Sequence, residues 1–139
     1  MTAAKPTARR GIYWPAGEGR AYRKAGMTGI FKADGVETAN AYSLSEWWLD
    51  PHTQGIGIHT NPHDHIYYVL EGVLTVFLDD RWVRAEQGAV TVIPAGVAHD
   101  FENREDARVG FLSIDVPGGF ERTLTRIGFE HVPTAKDSP

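Results

Sequence analysis

Glycine and proline punctuate this chain so densely that long regular elements are excluded from most of it. Fifteen Gly and eight Pro fall among 139 residues and leave short apolar runs between them. These runs are GIGIH (55–59), HIYYVLEG (65–72), VLTVFLDD (73–80), AVTVIPAG (89–96) and VGFLSIDVP (109–117). Each is rich in β-branched and aromatic residues and bounded by turn formers, which is the pattern of strands. Apolar residues keep helical spacing only around FERTLTRIGFE (120–130), where one short helix is expected. Many short strands with little helix predict a single all-β domain, a sandwich or barrel.

The punctuation also places turns. Glu71-Gly72 reads as a hairpin in which Gly supplies a positive φ, and Asp79-Asp80-Arg81 reads as a second tight connection. Pro94-Ala95-Gly96 ends a strand, because Pro withholds a ladder donor. The polar ends, residues 1–11 and 134–139, read as frayed tails around a domain that spans 1–139, its barrel core lying roughly at 40–120.

Composition narrows the function classes. The net charge is −4, and the Lys and Arg are scattered, so no basic stripe marks a nucleic-acid footprint. No apolar run approaches the ~18 residues of a spanning helix, and no apolar signal core follows the first basic residues. With no Cys there is neither a disulfide framework nor a thiolate nucleophile. The expectation is a cytoplasmic protein with no membrane or nucleic-acid partner. G-x-S-x-G, P-loop and dinucleotide glycine patterns are all missing.

Chemistry concentrates in histidine. Three of the six His lie within residues 59–65, in GIGIHTNPHDHIYYVLEG, and a fourth is His99. If a strand ends near His59 and another begins near His65, period-two alternation puts His65, Tyr67 and Val69 on one face. Ile66, Tyr68 and Leu70 then take the other. Adjacent antiparallel strands joined by NPHD would bring His59 and His65 together. Convergent imidazoles suit Zn, Fe, Cu or Ni. His52 and His131 stand apart and read as structural. Tyr67, Val69, Val76, Val92, Phe101 and Phe111 read as barrel core. Of Trp47 and Trp48 only one can face inward, and Arg20, Arg23 and Lys24 read as surface.

The stretch GAVTVIPAGVAHDFEN carries Gly88, Pro94, Gly96, His99 and Asn103 at the spacing G-x5-P-x-G-x2-H-x3-N. With it the chain resembles the cupin superfamily over roughly residues 44–120, this being the family's second motif in full. The first motif, G-x5-H-x-H-x3or4-E-x6-G, is met with departures. Counting back from Gly72, His65 stands where the family has its glutamate, and His59 and Asn61 stand at the two histidine positions. A shifted frame, in which His63-Asp64-His65 supplies the H-x-H pair, stays open because a two-residue difference keeps the same face.

The resemblance implies a double-stranded β-helix, or jelly-roll-type barrel, with one divalent metal inside. The implied ligands are His59, His65 and His99, with Asn61 as a weak fourth or His63 in the alternative frame. It also implies a small-molecule substrate and a homodimer. Loss of the carboxylate would leave a more electropositive centre of three neutral imidazoles and an amide. The reading is a mononuclear, dioxygenase-like oxidoreductase with Fe(II) as the favoured metal and Zn, Ni, Cu or Mn as other occupants. Tyr67 is the candidate hydrogen-bond donor or proton carrier. The alternatives are a non-redox metal-dependent lyase, isomerase or cyclase, and a non-catalytic small-molecule-binding module.

Overall fold

The computed structural model describes residues 9–133. Two antiparallel sheets face one another. The larger has seven strands, in the order β10-β1-β2-β3-β9-β4-β7, and the smaller has three, in the order β6-β5-β8. In chain order the strands are β1 (Arg20–Lys24), β2 (Met27–Ala33), β3 (Ser43–Leu49), β4 (Asp64–Glu71) and β5 (Leu74–Leu78). Then come β6 (Arg81–Ala85), β7 (Val90–Ile93), β8 (His99–Glu102), β9 (Val109–Val116) and β10 (Glu130–Val132). The expected helix is present but minimal. It is α1 (Glu121–Leu124), continued by a 3-10 turn over Thr125–Ile127. This is an all-β jelly-roll barrel, and no described helix is long and apolar enough to cross a membrane.

Strand alternation fills the interior in layers. Cross-strand register sets Leu49 against Val109, and Trp47 against Phe111 and Val69. One layer on, Ser45, Ser113 and Tyr67 stand abreast, and beyond them Ser43, Asp115 and His65. Along one face of three adjacent strands the filling therefore changes from wholly apolar to polar. Phe31, Leu49, Val69, Val109 and Phe111 are 0–1% exposed and anchor the apolar end. Of the paired tryptophans, Trp47 faces in and packs edge-on against Phe31 and Phe129. Trp48 faces out over Gly110, where a Cβ would meet its ring at 2.3 Å, closer than any side chain can approach.

Several expectations change. Glu71-Gly72 is not a hairpin. β4 pairs with β7 and β9, whereas β5 pairs with β6 and β8, so this turn carries the chain from one sheet to the other. Gly72 does take the positive φ (76°) expected of it. The Asp79-Asp80 connection is a true two-residue hairpin, with Leu78 opposite Arg81. GIGIH forms no strand; it joins the ladder through an isolated bridge from His59 to His99, and Gly55 packs closely on Asp100 and Phe101 of β8. Two glycines in five residues weaken its claim to a ladder. Val92 was expected in the core but is 57% exposed, because alternation along β7 turns Ile93 inward instead. Arg23 and Lys24 are exposed, as expected, though with Arg20 they form a strand of the large sheet, and Arg20 pairs with Asp34 and Glu37 beyond β2. The end residues 1–8 and 134–139 lie outside the described residues.

Phe111 touches the rings of Tyr67 and Phe101, each with centroids 5.0 Å away. Phe111→Ala is expected to cost about 3–5 kcal/mol in urea unfolding, through lost burial and a residual cavity.

Candidate functional site

The polar end of the barrel gathers the histidines, though not by the route expected. His59 and His65 are not on paired strands. His59 instead exchanges backbone hydrogen bonds with His99: His59 N donates to His99 O (3.0 Å), and His99 N donates to His59 O (2.9 Å). His65 reaches His99 from across the interior. The His59 and His99 ring centroids are 4.4 Å apart, and those of His65 and His99 are 5.1 Å apart. His65 and His99 are each 2% exposed.

The Nδ1 atom of each ring has its own partner. His59 Nδ1 donates to the Gly57 carbonyl (2.7 Å), and His99 Nδ1 donates to the Val97 carbonyl (2.9 Å). His65 Nδ1 lies 2.5 Å from Asp115 Oδ1. The Nε2 atoms of His59 and His99 are thus the free positions, while Nε2 of His65 faces the Asn61 amide (Nδ2 2.7 Å, Oδ1 3.0 Å). Among the described residues no three His, Cys, Asp or Glu side chains form a group that could hold a metal ion. His63 is turned aside. Its Nδ1 donates to the Pro117 carbonyl (2.9 Å), and its ring lies 6.3 Å from that of His65.

Sequence reasoning missed Asp115. It is 0% exposed, stands opposite His65 across β4 and β9, and accepts from both His65 and Ser113 Oγ (3.1 Å). To the expected imidazoles and amide the structure adds a buried carboxylate in direct contact with one of the rings. The signal was present in the alternation of β9, where Val109, Phe111, Ser113 and Asp115 share the inward face.

His59, His65, His99, Asn61, Tyr67 and Asp115 line a cavity of about 30 Å³. That holds about two waters. Phe120, Leu124, Ile127 and Phe129 line it from the C-terminal segment. A larger groove of about 690 Å³ runs between residues 9–16 and the outer face of β2 and β3, and no histidine lines it. Burial lowers the His99 imidazole to about 4, partly offset by its bond to Val97. Burial foremost, then the charges of Asp115 and Asp100, raises the Tyr67 phenol well above its usual value. Tyr67 thus keeps its proton at neutral pH and is suited to donate a hydrogen bond, not to accept a proton.

Asn103, the last residue of the intact motif, holds a turn. Its Nδ2 donates to the carbonyls of Leu49, Asp50 and Ala107, and its Oδ1 accepts from Glu105 N. Asn103→Ala should lower stability by about 1–3 kcal/mol in denaturant unfolding, because it strands buried carbonyls. The histidine NMR signals should stay in place.

A family model described as a cupin domain matches residues 45–115, just over half the chain. The chain belongs to the cupin family. Among solved structures it is similar to an RmlC-like cupin from Shewanella frigidimarina, with TM-score 0.69 and 15% identity over 81% of this chain and 96% of that one. It is also similar to a predicted oxalate decarboxylase from Thermotoga maritima, with TM-score 0.68 and 17% identity over 78% and 99% of the two chains. A third is KdgF from a Halomonas species, with TM-score 0.63 and 19% identity over 73% and 89%. At these identities the likeness is one of fold. No curated protein matches by sequence.

Proposed function

We propose that this cupin is a divalent-metal-dependent enzyme acting on a small organic substrate. Nε2 of His59, His65 and His99 would be the ligands, and Asn61 Oδ1 a fourth. The observation that carries this reading is the state of the three Nδ1 atoms. Each is tied to a carbonyl or carboxylate, the arrangement that fixes a metal-binding imidazole in orientation and tautomer. The donor chemistry fits a divalent ion. Their present spacing does not form a complete ligand group. Occupation requires His65 Nε2 to be released from the Asn61 amide, or Asn61 to turn its oxygen to the ion.

Neutral imidazoles suit Zn, Cu, Fe and Ni, and of these Fe(II) is the favoured metal for the dioxygenase-like reading. When bound, it would supply Lewis acidity and the electrons for dioxygen chemistry. The chain's own residues do the rest. Tyr67 holds a proton beside the cavity, Trp47, Phe101 and Phe111 give it apolar walls, and Phe120 and Leu124 add to that lining.

Elemental analysis of untagged protein reconstituted anaerobically with Fe(II) checks the reading. One ion per chain is expected, falling towards none in His59→Ala, His65→Ala and His99→Ala and unchanged in His63→Ala. A loss confined to His63→Ala would move the ligand frame. Zn or Ni retained with oxygen-independent turnover would favour a lyase, isomerase or cyclase. Wild-type protein that binds no ion would leave a small-molecule-binding module.

We also propose a homodimer formed through the outer face of the large sheet. Val90 and Val92 (each 57% exposed) and Tyr68 (44%) adjoin Ile66, Leu112 and Ile114 there by strand register. Extended exposed apolar patches mark interaction sites, and two like sheets can pack face to face about a two-fold axis. Light scattering should give twice the chain mass at micromolar concentration and a monomer for the double variant Tyr68→Lys, Val92→Glu. A wild-type monomer would overturn it.

A further inference from the structure

Asp115 has no place in either cupin motif, yet it is the fully buried charged residue nearest the chemistry. A carboxylate only accepts hydrogen bonds, so at 2.5 Å from His65 Nδ1 it requires that nitrogen to carry the hydrogen. Nε2 of a neutral ring is then bare. Asn61 Nδ2, at 2.7 Å, is placed to donate to it.

We propose that Asp115 is the positioning residue of the histidine cluster, holding His65 with Nδ1 protonated and Nε2 bare towards the cavity. It also restores the negative charge lost where His65 replaces the motif's glutamate. The tautomer stands on the geometry alone, whereas its consequence for cation binding rests on the metal reading above.

A purely structural role explains the residue poorly. β4 and β9 are already joined by an unbroken register from Asp64 to Val69, with an irregularity only beyond it, so no side-chain tie is needed to hold the strands at His65. Asp115 Oδ2 is moreover buried with no hydrogen-bond partner. Leaving a buried carboxylate oxygen unpaired is costly. A structural position would do better with Ser or an apolar residue, as Ser113 and Phe111 show two and four residues earlier on the same face. The residue also lines the cavity. Its unpaired oxygen is therefore available to a cation or to a donor group on a ligand. His59 and His99 have only backbone carbonyls behind them. His65 alone is backed by a formal charge, which makes its Nε2 the most strongly donating of the three.

The test is long-range ¹⁵N–¹H correlation on ¹⁵N-histidine-labelled protein at a single neutral pH, without added metal. Wild-type His65 should show the Nδ1–H form. Asp115→Asn and Asp115→Ala should shift it to the Nε2–H form or a mixture, and Ser113→Ala should not. In parallel, competition titration with Ni²⁺ should show Asp115→Asn binding about 10–100-fold more weakly than wild type.

A wild-type Nε2–H tautomer would overturn the proposal, as would a tautomer unchanged in both Asp115 variants. If Asp115→Ala fails to fold, the wild-type spectrum and the near-isosteric Asn variant decide. If the tautomer behaves as expected but wild type binds no Ni²⁺, the metal reading fails and the positioning role stands. If the tautomer shifts while Ni²⁺ affinity does not, the charge-restoring half is overturned.

Discussion

The register of β3, β9 and β4 is the constraint on which the rest of this molecule depends. Because side chains alternate strictly along a strand, a slip of one residue between β9 and β4 would turn every inward group of one strand outward. The pairing found keeps Trp47, Phe111 and Val69 in one layer and Ser43, Asp115 and His65 in another. The apolar layers supply the burial that holds the barrel together. The polar layer cannot contribute in that way and exists at the expense of the core. Its buried groups are tolerated because nearly all of them find partners: His65 with Asp115, Asp115 with Ser113, Ser43 with Glu121.

Electrostatics follow from the same layer. Three imidazoles and an amide would make a neutral cluster with little to offset an incoming cation. An ionised carboxylate from a neighbouring strand would place one negative charge behind the cluster without altering either motif. The geometry behind the rings is uneven as well. Two have carbonyl dipoles at their backs, and the third has a full charge, so the three are not equivalent ligands despite their common chemistry.

Much of this was legible in the residues, for identifiable reasons. The β-rich runs and their boundaries follow from turn chemistry. In the second motif, Gly96, at a φ of 84°, meets a local requirement of its turn, and Asn103 combines a local one, its bonds to Glu105 and Ala107, with a distant one, its bonds to Leu49 and Asp50. The inward parity of His65, Tyr67 and Val69 was readable because period-two alternation is local. What failed depended on which strand lies beside which. Nothing near Glu71-Gly72 says that the chain leaves one sheet for the other. Nothing in GIGIH says that its partner is His99, forty residues on. Val92 was misplaced because a continuous apolar run hides which parity is buried. Asp115 was missed because a motif search asks for residues at fixed spacing, and this one reaches the site through the ladder, fifty positions from the ring it supports.

Ser43 gives the cavity cover a further meaning. Its hydroxyl donates to Glu121 Oε1 (2.6 Å) and accepts from Gly119 N (2.9 Å), so the segment that roofs the cavity is moored to the rung that holds Asp115 and His65. The space beneath that segment is small, about 30 Å³. A ligand that entered only when the segment had lifted would have its apparent affinity scaled by the fraction lifted. Mooring strength and ligand affinity are then two sides of one equilibrium. A change that loosens Glu121 from Ser43 would tighten binding without touching the ligand, and a bound ligand would in turn leave the C-terminal segment more exposed to solvent and proteases.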